Sequence, residues 1–150
     1  AKQLNVFCVI AWGSNQEKIM AERLASCQED NCMMLPKVSI GLFRQLINHV
    51  NGAIVMDSFA LHLSVLSETP TFSVFGPVLG QARVPQNLSQ QKYFQGSCPF
   101  ATSFKENGVC TQYQKCSTVD CMQKMPVQPL VQSMVLFFNE QWAQVESATQ

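Results

Sequence analysis

Short apolar runs alternate with amphipathic stretches along the first half of the chain. Runs of this length, rich in branched residues, predict buried β-strands, whereas apolar positions three and four apart predict helices packed on one face. The predicted strands are residues 5–11, 32–35, 53–56 and 71–75. The predicted helices are residues 15–27, 40–49 and a shorter one after residue 58. This alternation predicts an α/β domain with a parallel sheet and right-handed crossovers.

Residues 54–77 form the central unit of this pattern: a strand buried on both faces, a short helix and a second buried strand. Asp57 and Ser58 follow the first strand and are residue types that cap a helix. Pro70 ends the helix, because the residue before a proline avoids the α region. In open α/β sheets ligands bind at the carboxyl ends of strands, so the Asp57-Ser58 turn is the predicted site.

The remaining helices are predicted from their caps and apolar stripes. Ser14 and Glu17 have the spacing of a capping box. Residues 78–95 show no sustained periodicity and are predicted to be mostly loop. A last helix is predicted to begin near residue 127 and to fray after Val145. The side chains expected to be buried by these helices are Ile19, Met20, Leu24, Cys27, Leu42, Phe43, Leu46, Ile47, Leu130, Val131, Met134, Val135, Phe138 and Trp142.

Composition narrows the class of protein without changing the fold prediction. The 150 residues suit one domain, with 47% apolar and 13% charged residues. Ten acidic residues balance ten basic ones, which excludes the electrostatic footprint of a nucleic-acid-binding or membrane-surface protein. No apolar run is long enough to span a bilayer, and the first residues do not have the pattern of a signal peptide.

Four of the seven cysteines, Cys98, Cys110, Cys116 and Cys121, fall within a cysteine-rich loop, residues 98–121. Four thiolates can hold a structural zinc ion, although no C-x-x-C pair is present. Two disulfides and four unlinked thiols are the alternatives, with disulfides disfavoured in a cytosolic protein. A thiol- or metal-dependent regulatory module is the function that this cluster alone would indicate.

Several segments, taken in order, resemble glycosyltransferase family 9, the bacterial ADP-heptose:lipopolysaccharide heptosyltransferases. Asp57-Ser58-Phe59-Ala60-Leu61-His62-Leu63 resembles the family signature D-T-G-x-x-H-L. The other matching segments are Trp12-Gly13-Ser14 with Glu17-Lys18, residues 21–25, residues 35–39, Thr69-Pro70, Phe75-Gly76-Pro77, and Cys121-Met122 with Pro129.

The resemblance implies a GT-B enzyme with two Rossmann-like domains, of which residues 1–150 are the carboxyl-terminal, nucleotide-sugar-binding one. Helices would cover both faces of its sheet. Such enzymes are inverting and need no metal for catalysis. Their catalytic base is a carboxylate of the amino-terminal acceptor domain, so the resemblance implies that the chain lacks this base and is inactive by itself. Some relatives bind metal at a cysteine cluster, which adds iron to zinc as a candidate at residues 98–121.

The matched positions also imply donor-binding roles. Ser58 and the helix N-terminus after it would bind the diphosphate, since backbone N–H groups and the helix dipole favour anions there. His62 lies one helical turn further on and would stabilise the departing diphosphate. Asp57 would contact the sugar or orient the turn. The alternatives are that Asp57 and Ser58 serve only as caps and that His62 is structural.

Two earlier positions complete the implied donor site. Glu17 would accept hydrogen bonds from ribose hydroxyls, and Val38 would line the adenine slot. The alternatives are a Glu17 that acts only in the capping box and a Val38 that only packs. Phe59 is a departure, because the family has glycine there and a positive φ would be strained in phenylalanine.

The sequence therefore predicts the donor half of a glycosyltransferase that uses a nucleotide diphosphate sugar, ADP-heptose by resemblance. The acceptor would be lipopolysaccharide core or a protein, at the cytoplasmic face of the inner membrane. The alternative is a degenerate GT-B-like scaffold without catalytic activity, in which Phe59 has spoiled the phosphate-binding turn.

Overall fold

Strands and helices alternate along residues 2–27, 30–98 and 103–148, the part of the chain that the computed structural model describes. The strands are β1 (Cys8–Ile10), β2 (Cys32–Met34), β3 (Ala53–Val55), β4 (Thr71–Phe75) and β5 (Gln91–Gln95). The helices are α1 (Asn15–Ser26), α2 (Ile40–His49), α3 (Phe59–Leu66), α4 (Asp120–Gln123) and α5 (Val127–Ala148). The chain divides into an amino-terminal unit, Ala1–Gln45, and a carboxyl-terminal unit, Leu46–Gln150.

The amino-terminal unit is built on two parallel strands. Cys8 of β1 lies opposite Cys32 of β2, and α1 connects the two strands. Trp12 Nε1 donates a hydrogen bond of 2.7 Å to the Leu35 carbonyl oxygen, which ties the turn after β1 to the end of β2. The first β-α-β crossover predicted from the sequence is thus confirmed.

The apolar face predicted for α1 is wrong. Ile19, Met20 and Leu24 are 53%, 65% and 59% exposed, and Ala21 is the buried side chain of the helix. α1 contacts β2, and strands of three residues offer too little surface to cover larger side chains. The stripe predicted for α2 is only partly confirmed, because Ile47 is buried but Leu42 is 52% exposed.

The carboxyl-terminal unit contains a parallel sheet in the order β3-β4-β5. Ala53 lies opposite Thr71, and Thr71 lies opposite Gln91, so the strands start at the same level. The helix α3 forms the crossover between β3 and β4. The α/β class with parallel pairing is therefore confirmed.

Helices cover both faces of this sheet, as predicted. Neighbouring residues of a strand point to opposite faces. On one face Phe75 packs with Leu61 of α3 and with Val84 in the buried core. On the other face the Phe72 ring contacts Phe137 of α5, with ring centroids 6.1 Å apart.

Two features of this sheet differ from the prediction. The strand at residues 53–56 was predicted to be buried on both faces, but Ile54 and Met56 are 58% and 54% exposed because β3 is an edge strand. Residues 78–95 were predicted to be mostly loop, and this prediction missed a 3-10 turn, Gly80–Ala82, and the strand β5. The sequence of β5 begins and ends with glutamine, so no apolar run marks it.

The helix predicted from residue 127 is confirmed, and it extends to Ala148 instead of fraying after Val145. Its buried side chains are Phe137, Phe138 and Gln141, of which only Phe138 was predicted. Gln141 Nε2 donates to the Ser89 carbonyl oxygen at 3.1 Å, which explains its burial. Within the described residues, no helix has both the length and the hydrophobicity needed to cross a bilayer.

Candidate functional site

The carboxyl ends of β3, β4 and β5 meet at one edge of the sheet, because the three strands are parallel and in register. Asp57 and Ser58 follow β3, Gly76 follows β4, and Gly96 follows β5. Asp57 and Ser58 are exposed there, whereas Gly76 and Gly96 are buried. This edge is the expected ligand-binding region of such a sheet.

The Ser58 hydroxyl is not used to cap the helix that it precedes. Ser58 is the N-cap of α3, with extended backbone (φ −153°, ψ 173°), and its side chain makes no capping hydrogen bond. Ser58 is exposed, as is His62, which lies four residues further along α3. Residues at this spacing are neighbours on the helix surface. The Ser58 hydroxyl and the His62 ring are therefore both accessible at the N-terminal end of α3.

Phe59 fits this turn without backbone strain. It is the first residue of α3, and the described non-glycine residues with positive φ are Asn5, Glu68 and Val119. A helical backbone suits any L-residue, so the departure from glycine does not distort the turn. The Phe59 side chain is 54% exposed and lies outside the core.

Asp57 forms an ion pair that the sequence analysis missed. Arg83 Nε lies 3.6 Å from Asp57 Oδ2, and the two side chains are 30% and 34% exposed respectively. Arg83 directly follows the 3-10 turn Gly80–Ala82, in the segment that was predicted as loop. A single arginine in an aperiodic stretch carries no pattern that would have revealed this contact.

Glu17 and Val38 belong to the amino-terminal unit, whereas Asp57, Ser58, Phe59 and His62 belong to the carboxyl-terminal one. Glu17 Oε2 accepts hydrogen bonds from the backbone N–H groups of Gly13 (2.9 Å) and Ser14 (2.7 Å). Glu17 N donates to Ser14 Oγ at 3.2 Å, so the predicted capping box is confirmed. Val38 is half-buried between β2 and α2.

The capping box makes the stability of α1 dependent on pH. The N–H groups of Gly13 and Ser14 hold the pKa of the Glu17 carboxyl below its usual value. A lowered pKa in the folded state means that this stabilisation is complete above the ordinary glutamate pKa and is lost as the pH falls through the lower folded value. We expect Glu17→Gln to be destabilising at neutral pH and to lose that deficit progressively as the pH falls below the ordinary glutamate pKa and through the lower folded value.

Thermal unfolding of the unmodified chain and of Glu17→Gln across a pH series from neutral into the acid range measures this difference. Glu22→Gln is the control, because Glu22 lies on the same helix but pairs with Lys18 at 3.6 Å outside the capping box. A Glu17→Gln deficit that stayed constant from neutral to acid pH would contradict the prediction.

A cavity of about 660 Å³ opens at the same edge of the sheet, beyond the ends of β4 and β5. Its wall includes Phe104, Tyr113 and Val119 from the cysteine-rich loop, together with Gln95 at the end of β5. All four cysteines that the sequence analysis grouped line it: Cys98, Cys110, Cys116 and Cys121. The structure thus places all four residues along the wall of one cavity.

The structure does not support a metal site at these cysteines. Among the described residues, no three His, Cys, Asp or Glu side chains are arranged to hold a metal ion. The four thiols line the wall of a cavity, whereas tetrahedral coordination with Zn–S bonds of about 2.3 Å requires them to converge on one point. The thiols of Cys98, Cys110, Cys116 and Cys121 are also not joined in disulfides.

The four thiols differ in their electrostatic surroundings. Burial raises the pKa of the Cys121 thiol, and the neighbouring Cys98, Cys116 and Cys110 raise it further. The backbone N–H groups of Val119 and Thr118 lower the pKa of the Cys116 thiol, with help from the Thr118 hydroxyl. The left-handed conformation of Val119 (φ 48°) is part of the turn that supplies these donors.

Comparison with known proteins gives consistent matches. The model of glycosyltransferase family 9 (heptosyltransferase) matches residues 1–110. Lipopolysaccharide heptosyltransferase 1 of Pseudomonas aeruginosa is 32% identical over 68 residues, which are 45% of this chain and 19% of the relative.

The structure of E. coli heptosyltransferase WaaC, solved with ADP-2-deoxy-2-fluoro heptose, matches with a TM-score of 0.51 and 19% identity. The match covers 77% of this chain and 30% of WaaC. At this identity the likeness shows a shared fold. The matched segments thus cover less than a third of the length of either protein.

Proposed function

Because the chain belongs to glycosyltransferase family 9, the heptosyltransferase family, we propose that it is the donor-binding half of an inverting glycosyltransferase. The donor is a nucleotide diphosphate sugar, and ADP-heptose is the one that we expect. Family membership also implies catalysis without a metal cofactor. The solved relative WaaC was crystallised with an ADP-heptose analogue, which supports this class of donor.

The observation that carries the proposal is the Ser58 hydroxyl, which stands at the N-terminus of α3 without a capping partner. A donor diphosphate needs hydrogen-bond donors and a positive potential, and the first turn of a helix supplies both. Ser58 adds a hydroxyl donor to a phosphate oxygen. His62, one turn further along, donates an N–H to the diphosphate as charge develops on it.

The remaining predicted residues bind the rest of the donor in this proposal. Glu17 accepts hydrogen bonds from the ribose hydroxyls through Oε1, since Oε2 is engaged by the capping box. Val38 forms part of the adenine slot. Asp57 orients the turn after β3, and Phe59 contacts the donor with its exposed ring instead of the close backbone approach of glycine.

We further propose that transfer needs a domain beyond residues 1–150, since the relatives are three to five times longer than the matched segments. That domain would contribute the base, which removes the proton of the acceptor hydroxyl as it attacks the anomeric carbon and the diphosphate departs. The acceptor would be lipopolysaccharide core or a protein. The site of action would be the cytoplasmic face of the inner membrane.

Calorimetric titration with ADP, GDP and UDP tests the donor assignment. We expect selective binding of ADP. Ser58→Ala and His62→Ala should each weaken it by about 10- to 100-fold, the value of one hydrogen bond to a charged group. Ser147→Ala is the control, because Ser147 lies on α5 and its hydroxyl donates to the Gln144 carbonyl oxygen of the same helix.

The outcomes separate the candidate functions. Preference for GDP or UDP would support a glycosyltransferase but would contradict ADP-heptose as its donor. If Ser58→Ala and His62→Ala bind ADP as tightly as the unmodified chain does, the diphosphate does not bind at α3. If none of the three nucleotides binds, the donor-binding proposal is wrong. The alternative is then a scaffold domain that has the family fold but binds no donor.

A further inference from the structure

The Asp57 carboxylate poses an electrostatic problem for a diphosphate at the neighbouring turn. Two like charges a few ångströms apart repel, and the repulsion grows where water is partly excluded. Arg83 compensates this charge, with Nε 3.6 Å from Asp57 Oδ2. Both side chains are about one-third exposed, so the pair lies at the surface of the edge where a ligand would arrive.

The contact with Asp57 leaves the hydrogen-bonding capacity of Arg83 available. A separation of 3.6 Å exceeds the length of a hydrogen bond, so the pair is held by charge and not by an N–H···O bond. A guanidinium has five N–H donors in a planar fork that matches two oxygens of a phosphate group. Arg83 can therefore balance Asp57 and still bind an anion.

The backbone around Arg83 is fixed independently of this ion pair. Arg83 N donates to the Gly80 carbonyl oxygen at 3.0 Å, and the next residue, Val84, is buried in the core. Gly80 N donates to Gln95 Oε1 at 2.9 Å, and Gln95 Nε2 donates to the Gly76 carbonyl oxygen at 2.9 Å. The Gln95 side chain thus ties the turn before Arg83 to the carboxyl ends of β4 and β5.

We propose that Arg83 binds the donor diphosphate opposite the Ser58 hydroxyl and the first turn of α3, an inference that rests on the donor site proposed above. The guanidinium neutralises Asp57, which the site would otherwise place against a like charge, and its remaining N–H groups bind phosphate oxygens. Arginine suits this role better than lysine because its planar fork binds two oxygens at once.

Titration of Arg83 variants with ADP and with adenosine tests this assignment. Arg83→Ala should weaken ADP binding by about 10- to 100-fold and leave adenosine binding unchanged, because adenosine has no phosphate. Arg83→Lys should keep part of the ADP affinity. Asp57→Asn combined with Arg83→Ala should regain part of the loss, since it removes the uncompensated carboxylate. Lys92→Ala should bind ADP like the unmodified chain, because Lys92 is an exposed cation near the start of β5, opposite Phe72 of β4.

Each outcome decides between the two proposals. If the unmodified chain binds ADP and Arg83→Ala binds it equally well, the role of Arg83 is wrong and the donor site stands. If Arg83→Ala weakens ADP and adenosine alike, Arg83 is structural and the inference also fails. If the unmodified chain binds no nucleotide, the donor site and the inference fall together. Unfolding curves of every variant show whether each one is folded before it is titrated.

Discussion

Replacing Leu61 with alanine should lower the free energy of unfolding by about 2–5 kcal/mol, the range for deleting a leucine side chain from a packed core. Leu61 is completely buried on α3 and packs with Phe75 of β4 and with Val84. The loss combines the transfer free energy of the missing atoms with the cost of the cavity that they leave. The surrounding sheet cannot collapse onto that cavity without breaking its register.

Denaturant unfolding followed by circular dichroism measures this effect. Leu66→Ala is the matched control, because Leu66 lies on the same helix and is 81% exposed. It should change the free energy of unfolding by less than about 0.5 kcal/mol. Similar losses in the two variants would show that α3 is not anchored through Leu61.

The second large effect is expected at Gly96, which follows β5 at the candidate site. A Cβ atom at this buried position would overlap the backbone oxygen of Cys121 and lie 2.9 Å from the Met125 methyl carbon. A backbone oxygen cannot rotate away as a side chain can. We expect Gly96→Ala to destabilise the fold by about 3 kcal/mol, the upper end of the range for overpacking.

Gly41→Ala is the control, because it should change the free energy of unfolding in the opposite direction. Gly41 lies in α2, and the nearest atom to an added Cβ is Ser39 Oγ at 4.0 Å. Alanine in a helix should stabilise the chain by about 0.5–1 kcal/mol relative to glycine. Thermal melting of both variants measures the contrast. A Gly96→Ala variant as stable as the unmodified chain would mean that α4 is not packed against β5.

The sequence predicted those elements whose apolar pattern and caps agree. The bounds of α2 and β4 match the prediction, since both combine an apolar run or stripe with clear polar ends. The strand β5 was not predicted because it begins and ends with glutamine, at Gln91 and Gln95, and lies in a polar segment. The strand is defined by its pairing with β4 and by the Gln95 side chain, and neither contact can be read from local sequence.

Burial was predicted less well than secondary structure. Periodicity shows which side chains share a face of a helix, but not how much surface another element offers to that face. Met20 and Leu24 are exposed for this reason, although they share an apolar stripe. Phe137 and Phe138 show the reverse case, since adjacent aromatic residues can both be buried when a helix packs between the sheet and a neighbouring loop.

For the candidate site, the sequence indicated the motif residues but not the tertiary contacts that they make. The turn at Asp57-Ser58 and the grouping of the cysteines followed from residue types and spacing. The ion pair with Arg83 depends on a turn 26 residues away along the sequence. The metal site, one of three alternatives for these cysteines, is not supported, because spacing along a loop does not determine whether four thiols converge.

The hydrogen bond from Trp142 Nε1 to the Asn51 carbonyl oxygen (2.9 Å) has a consequence for synthesis of the chain. It joins residues 91 positions apart, and the Phe72–Phe137 contact spans most of the same distance. During translation the sheet therefore leaves the ribosome before α5 does, and the face of the sheet that carries Phe72 is then uncovered. The nascent carboxyl-terminal unit is exposed to aggregation until its last helix has emerged.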